Sequence, residues 1–167
     1  MVVFRQARLG DVKAIQMIEN EYYEGFSCPE EQLIEWIARL SGNFIVAEEG
    51  SNVVGFIFFE YLDKAEALPF IHKLAHRKGG RYAYISEIGA LDLHKGVLQQ
   101  LFEKALEKAK KDGCEKMIWL TGHRCKHDKM EAEVLLRNKF AKTKQVPGWE
   151  ARPGRFVSDH WLHEKII

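Results

Sequence analysis

The chain has 167 residues, 46% of them hydrophobic, which suits one globular domain over residues 1–167 with a sizeable core. Its 25 Lys and Arg residues nearly balance 24 Asp and Glu residues, which argues against nucleic acid or an anionic membrane as the main partner. The sequence shows no apolar run of membrane-spanning length and no signal-peptide layout. Cys28, Cys114 and Cys125 have no regular spacing, which favours free thiols in a reducing compartment. We therefore expect a cytoplasmic protein.

The first forty residues predict one strand followed by two helices. The strand covers residues 2–7, and Asp11 is placed to cap a helix whose apolar face includes Ile15, Ile18 and Tyr22. The second helix follows a capping box formed by Ser27 and Glu30, with a proline in its first turn.

A hairpin follows, and after it comes a segment that has alternative interpretations. Residues 43–48 and 53–60 predict two strands joined by a Gly- and Asn-containing turn. Residues 61–81 contain apolar positions that could form an amphipathic helix, and they end in the basic tract 76–81. This segment is either a solvated loop, a lid or wall of a substrate site, or a contact point for a phosphate.

The centre of the chain predicts a buried strand, a short loop and a long helix. Residues 82–90 are mostly apolar and rich in β-forming residues. From Val97 to the stop signal at Gly113, apolar residues recur at helical spacing: Val97, Leu98, Leu101, Phe102, Ala105, Leu106 and Ala109. The loop 91–96 leaves backbone N–H groups at the start of this helix, where an anion could bind. An ordinary turn between a strand and a helix is the alternative.

The last third of the chain predicts one strand at 116–122 and a helix that Asp128 can cap and that ends near Asn138. Residues 146–154 are rich in turn-forming residues, and residues 156–167 predict a closing strand.

Two stretches resemble the opening of the GNAT (Gcn5-related N-acetyltransferase) family: Phe4 to Asp11 leading into Ile15, and Phe44 to Ile57. The order of the predicted elements is similar to that family along nearly the whole chain. The resemblance implies an α/β (α+β) fold with a mixed, mostly antiparallel central sheet of six or seven strands and about four flanking helices.

The resemblance also implies acetyl-CoA as the cosubstrate. In the family, a Gln/Arg-x-x-Gly-x-Gly/Ala loop before the long helix holds the pyrophosphate through backbone N–H groups. Here Gly96 falls on the first Gly, and Leu93 and Leu98 occupy the first and last positions. His94 and Lys95 could replace the lost backbone contacts to the pyrophosphate with charged side-chain contacts. The implied coenzyme-binding residues are Ile88, Gly89, Ala90, His94, Lys95, Gly96, Val97, Leu98 and Asp128.

By the same resemblance, direct transfer to an amine needs few side chains. Glu87 matches a frequent position of the general base, and the backbone N–H of Ile88 or Gly89 would polarise the thioester carbonyl. In many relatives a tyrosine protonates the leaving thiolate, five residues before the Phe of a Gly-Phe pair. When Lys139 and Phe140 are matched to that pair, Leu135 stands at the tyrosine position.

Other functions remain open at this stage. The leading hypothesis is an acetyl-CoA-dependent N-acyltransferase that acts on a small-molecule or peptide amine, as a monomer or a homodimer. The alternative is a non-catalytic binding or regulatory module with the same fold. A third hypothesis is a metal-binding protein, because His123, Cys125 and His127 alternate along a segment that could be extended.

Overall fold

The computed structural model describes residues 1–23, 27–40, 42–62, 82–91, 94–122, 128–146, 149–152, 155–157 and 160–167. The helices are α1 (Val12–Tyr22), α2 (Glu30–Arg39), α3 (Lys95–Lys111) and α4 (Asp128–Arg137). The strands are β1 (Val2–Gln6), β2 (Phe44–Glu49), β3 (Asn52–Leu62), β4 (Tyr82–Ala90), β5 (Lys116–Gly122), β6 (Ala141–Val146), β7 (Trp149–Arg152), β8 (Arg155–Val157) and β9 (His160–Ile166).

Seven strands form one mixed sheet in the order β1-β2-β3-β4-β5-β9-β6. Every neighbouring pair is antiparallel except β4 and β5, which are parallel. Strands β7 and β8 pair with each other in a second sheet, which has two strands among the described residues. The predicted fold class is therefore confirmed.

The helices cover both faces of this sheet. Apolar residues of α1 and α2 pack with Phe44, Phe56 and Phe58 on one face. The apolar stripe of α3 packs on the opposite face, together with residues of α4. A Cβ atom at Gly55 of β3 would lie 2.9 Å from Val97 Cγ1 of α3. Only a glycine at this position lets α3 lie so close to the sheet.

Helix α3 ends where the sequence predicts. Gly113 has a φ of 81°, in the left-handed region that favours glycine. The Gly113 N–H donates to Lys110 O and the Cys114 N–H to Ala109 O, each at 3.0 Å. This Schellman pattern satisfies carbonyls that the helix end leaves without partners. The start of α3 at Lys95 is two residues earlier than predicted.

Two predicted helix caps are wrong. Pro29, with a ψ of 150°, occupies the cap position of α2, so Ser27 lies two residues too early to form a capping box. Asp11 does occupy the cap position of α1, but its carboxylate does not cap the helix. Instead it accepts two hydrogen bonds from the Arg5 guanidinium, at 2.7 and 2.8 Å. A charge-assisted pair of this geometry outcompetes a neutral cap.

The C-terminal region contains more strand than the sequence predicts. Residues 149–152, expected in turns, form β7, and β6 had no counterpart among the predicted strands. Strand β6 lies at the sheet edge, and Ala141, Lys142 and Thr143 are exposed, so it lacks the apolar alternation that reveals a half-buried strand. The predicted strand at 156–167 is two strands, β8 and β9.

Some predicted features lie outside the described residues: the amphipathic segment at 63–81 with its basic tract, and Leu93. Within the described part of the chain, no helix has both the length and the hydropathy needed to cross a membrane.

Candidate active site

The two edges of β4 are paired to different extents. Its pairing with β3 runs from Tyr82 to Ala90, whereas its pairing with β5 runs from Tyr82 to Ile85. The pairing with β3 is interrupted near the middle of β4. Phe58 pairs with Glu87 and the next residue of β3 pairs with Ile85, so Ser86 is the extra residue of a β-bulge. A bulge bends its strand and ends regular pairing. In the described structure β4 has no strand partner on its β5 side beyond Ile85; we call this stretch the open edge of β4 and the gap towards β5 the cleft.

The backbone of Ile88 faces this cleft. The Leu91 N–H donates to Val54 O of β3 at 3.0 Å, and polar backbone groups alternate sides along a strand, so the Gly89 N–H also points towards β3. The N–H and C=O of Ile88 point the other way. Of the two candidate donors from sequence, only Ile88 is therefore placed to donate across the cleft.

The hydroxyl of Tyr23 contacts both of these backbone groups. It donates to Ile88 O at 2.8 Å and accepts from the Ile88 N–H at 3.3 Å. Tyr23 is the residue directly after α1, and its N–H donates to Glu19 O at 2.8 Å. The end of α1 thus reaches the open edge of β4.

Two carboxylates lie near the Tyr23 hydroxyl. Burial raises the pKa of Tyr23 well above its usual value, and the charges of Glu131 and Glu87 raise it further. Glu131 belongs to α4 and is buried. The phenol is therefore neutral at physiological pH and available as a hydrogen-bond donor.

Glu87, the predicted base, directly follows the bulge. A Cβ atom at Gly89 would lie 3.2 Å from Ile18 of α1, which places Gly89 on the sheet face covered by α1 and α2. Side chains two apart in a strand share a face, so Glu87 projects to that side as well. Its charge also contributes, after burial and Glu60, to the raised pKa of Tyr84. One oxygen of this carboxylate, Oε2, is buried.

The start of α3 is open to solvent at its second residue. Gly96 is exposed, and a Cβ atom there would approach only Gln100 Nε2, at 3.9 Å. Val97 and Leu98 are buried in the core beneath α3. The Leu98 side chain, which stands where the family has Gly or Ala, therefore points away from the helix start and does not crowd its first N–H groups. These N–H groups have no acceptor within the helix.

His94 is engaged away from the anion site that the sequence predicts. Its Nε2 lies 3.0 Å from Glu49 Oε2 at the tip of the β2–β3 hairpin. The hydrogen bond with His94, together with the N-terminal ammonium, holds the pKa of Glu49 below its usual value. To contact a phosphate, the His94 side chain would have to leave Glu49.

The remaining predicted residues fall into three groups. Leu135 is buried in the core, and Lys139 has a φ of 55°, the left-handed conformation expected at the family's Gly position. Asp128 is the first residue of α4. The metal hypothesis rests on His123, Cys125 and His127, which lie outside the described residues, and the described part contains no cluster of three metal-ligating side chains.

Sequence reasoning missed Tyr23 and Glu131. Tyr23 follows a tyrosine on the apolar stripe of α1, and no motif distinguishes it. Beyond it, Cys28 is anchored to α1: its N–H donates to Glu19 Oε2 at 2.6 Å, and its carbonyl oxygen accepts from Gln16 Nε2 at 3.2 Å.

The architecture just described, a mixed seven-stranded sheet with a parallel β4–β5 pair and a long helix after β4, is that of GNAT-fold proteins. The acetyltransferase (GNAT) family model matches residues 12–131, so the chain belongs to this family. Comparison with curated proteins gave no significant match.

Solved structures agree on the fold. The loading GNATL domain of CurA from Lyngbya majuscula has a TM-score of 0.80 at 14% identity, with 99% of this chain and 98% of that one covered. A GphF GNAT-like decarboxylase in complex with isobutyryl-CoA has a TM-score of 0.81 at 13% identity, with 98% of each chain covered. For yncA of Salmonella typhimurium, a putative acetyltransferase with its cofactor acetyl-CoA, the TM-score is 0.70 at 17% identity, with 99% and 94% covered.

Proposed function

We propose that this protein is a cytoplasmic, acetyl-CoA-dependent N-acyltransferase that transfers the acyl group directly to a small-molecule or peptide amine. The observation that carries the proposal is the open edge of β4, where the N–H of Ile88 faces the cleft towards β5. Membership of the GNAT family supports the same chemistry. The acyl-CoA complexes among the structural neighbours support it as well.

Residues at both ends of the cleft suit the parts of the cosubstrate. The first turn of α3, with Lys95, Gly96 and Val97, would hold the diphosphate, because a helix N-terminus attracts anions. The edge from Ile88 to Ala90 would hold the pantetheine arm, with Asp128 at the start of α4 beside it. The cosubstrate supplies an activated thioester, so the protein must align it with an amine and remove a proton.

Two groups then act on the reacting atoms. The Ile88 N–H donates to the thioester carbonyl oxygen, where negative charge develops during transfer. Glu87 removes a proton from the attacking amine, directly or through one water molecule, from the face covered by α1 and α2. The departing thiolate needs no acid at the Leu135 position, since a thiolate is a fair leaving group at neutral pH.

A non-catalytic module is the second candidate, favoured by one observation. The Ile88 N–H already donates to the Tyr23 hydroxyl, so a thioester must share or displace that contact. A protein that uses the fold only for binding could keep the hydrogen bond between the Ile88 N–H and the Tyr23 hydroxyl permanently.

Calorimetric titration with acetyl-CoA tests both candidates for cosubstrate binding. At 100 times Kd, a ligand stabilises the folded state by about 2.7 kcal/mol, which for a chain of this length raises Tm by roughly 5 to 10 °C. ATP is the matched control, because it carries the nucleotide and phosphates without the pantetheine arm. No heat and no rise in Tm at millimolar acetyl-CoA would eliminate the transferase.

Turnover separates the enzyme from the binding module. The release of free CoA is followed with a thiol reagent across a panel of small amines and peptides with free N-termini, and products are identified by mass. Binding of acetyl-CoA without acylation of any amine would favour the module.

A further inference from the structure

We propose that Tyr23 is a catalytic residue of this transferase: its hydroxyl donates a second hydrogen bond, beside that of the Ile88 N–H, to the carbonyl oxygen of the bound thioester. The inference rests on the proposed function, because it requires an acyl-CoA in the cleft.

The position of the hydroxyl is the first argument. Its oxygen lies 3.3 Å from Ile88 N and 2.8 Å from Ile88 O. An acyl oxygen that accepts the Ile88 N–H at about 2.9 Å comes within hydrogen-bonding reach of the phenol oxygen. Rotation about the phenol C–O bond turns the proton from Ile88 O to the acyl oxygen. Both donors then converge on one atom after a small displacement of the ring.

The charge state of the phenol decides whether Tyr23 acts as a proton donor to the departing thiolate or as a hydrogen-bond donor to the carbonyl oxygen. Burial and the charges of Glu131 and Glu87 raise the pKa of Tyr23 well above its usual value. A raised pKa makes the phenol a weaker acid, which disfavours proton transfer to a departing thiolate, whose conjugate acid has a pKa of about 8.5. The phenol stays neutral through the physiological range, which is what a hydrogen-bond donor needs. The two carboxylates thus favour donation of a hydrogen bond over proton transfer.

Contacts of its backbone and of its ring hold Tyr23 beside Ile88 before the ligand binds. The Tyr23 N–H donates to Glu19 O at 2.8 Å, and the rings of Tyr22 and Tyr23 meet edge to face with centroids 5.0 Å apart. The Glu19 carboxylate in turn accepts from the Cys28 N–H. Because these contacts fix the backbone of Tyr23, only the rotation of its O–H and a small displacement of its ring are needed when the thioester binds, and little reorganisation remains for the transition state.

The first experiment compares two ligands on wild type and on Tyr23→Phe. Acetyl-CoA has the carbonyl, and S-ethyl-CoA replaces it with a methylene group. If Tyr23 contacts the carbonyl oxygen, wild type prefers acetyl-CoA, and Tyr23→Phe weakens acetyl-CoA by about three- to tenfold, the worth of one neutral hydrogen bond. The affinity for S-ethyl-CoA stays unchanged.

The second experiment reads the carbonyl directly. Hydrogen bonds lower the infrared stretching frequency of a carbon-13-labelled thioester carbonyl, so part of the shift seen with wild type disappears in Tyr23→Phe. Turnover with the best amine falls by about 100-fold, as when one donor to a developing oxyanion is removed.

Tyr61→Phe is the matched control. The Tyr61 hydroxyl contacts Asn43 and Asp112 and is removed by the same substitution, but it is not at the open edge of β4. This variant should lower Tm and leave the ligand preference and the carbonyl frequency unchanged.

Each outcome decides something. Tighter binding of acetyl-CoA by Tyr23→Phe would mean that the hydroxyl only blocks the Ile88 N–H, which overturns the inference. An unchanged ligand preference and carbonyl frequency in Tyr23→Phe also overturn it, while the transferase stands. If wild type binds neither ligand, the proposed function itself is wrong and the role of Tyr23 goes with it.

Discussion

The two edges of β4 are paired to different extents, and we propose that the closed edge stabilises the strand while the open edge serves the reaction. The edge towards β3 is paired from Tyr82 to Ala90, and phenylalanines of β3 support it from beneath α1 and α2. The edge towards β5 is paired only as far as Ile85. The bulge at Ser86 separates the two behaviours. The closed edge holds the backbone in position, and the open edge can therefore present an N–H to a ligand without collapsing.

The largest expected effect tests the closed edge. Phe56 of β3 is fully buried, and its ring packs on Phe44 with centroids 6.0 Å apart. Replacing Phe56 with Ala should lower the free energy of unfolding by about 3 to 5 kcal/mol, because it removes buried surface and leaves a cavity. Urea unfolding measures this. Val3→Ala, at a position 55% exposed, is the control and should change stability little. A loss below about 1 kcal/mol for Phe56→Ala would contradict a structural role for this edge.

The next effect tests the open edge. Glu87→Gln removes the proposed base, so turnover should fall by about 100-fold, while the affinity for acetyl-CoA and the free energy of unfolding stay near wild type. Steady-state kinetics and calorimetry measure the two separately. Glu107→Gln, on the exposed face of α3, is the control and should leave both unchanged. Full activity in Glu87→Gln would exclude the base role.

A smaller effect tests how far the open edge extends towards α3. Lys95→Ala should weaken acetyl-CoA by about tenfold, equal to about 1.4 kcal/mol, through loss of a cation at the diphosphate. The difference should shrink at high salt, because ionic strength screens the attraction between a lysine and a diphosphate. Lys104→Ala, further along the same helix, is the control for charge. An affinity unaffected by Lys95→Ala would move the phosphate site elsewhere.

The smallest effect concerns acid stability far from the open edge. The hydrogen bonds from Arg5 hold the pKa of Asp11 below its usual value despite partial burial. A lowered pKa in the folded state means that this stabilisation is present above the pKa of an unfolded Asp, about 3.9, and is lost as the pH falls through the folded-state value.

The matched variant is Asp11→Asn, which cannot ionise. Between pH 6 and 3 its free energy of unfolding should fall by about 1 kcal/mol less than that of wild type. Urea unfolding at each pH checks this, and parallel curves would show that the Arg5–Asp11 pair contributes nothing measurable. Acetyl-CoA affinity at pH 7 should be the same in both proteins, since Arg5 belongs to β1, which is separated from β4 by β2 and β3.

Much of the fold could be predicted because its signals are local. The buried strand at 82–90 and the strand at 116–122 have the predicted bounds, and Gly113 ends α3 as predicted. The errors also have local causes. The Asp11 carboxylate accepts hydrogen bonds from Arg5 instead of capping α1, and the polar edge strand β6 has no apolar pattern to recognise.

The candidate site could be predicted only in part. The resemblance identified Glu87 and the strand that carries it, but left the donor open between Ile88 and Gly89. Deciding between them requires the register of β4 on β3, which a single residue of bulge inverts. Similarly, only the structure shows that Leu98 packs in the core and does not crowd the helix start.

The sequence by itself determined the order of strands and helices as far as α4, because periodicity and stop signals act over a few neighbouring residues. Only the tertiary structure decided where β4 opens and which side chain meets that opening. Tyr23 and Ile88 are 65 residues apart in the chain, and their contact exists because α1, the sheet and α4 pack together around it.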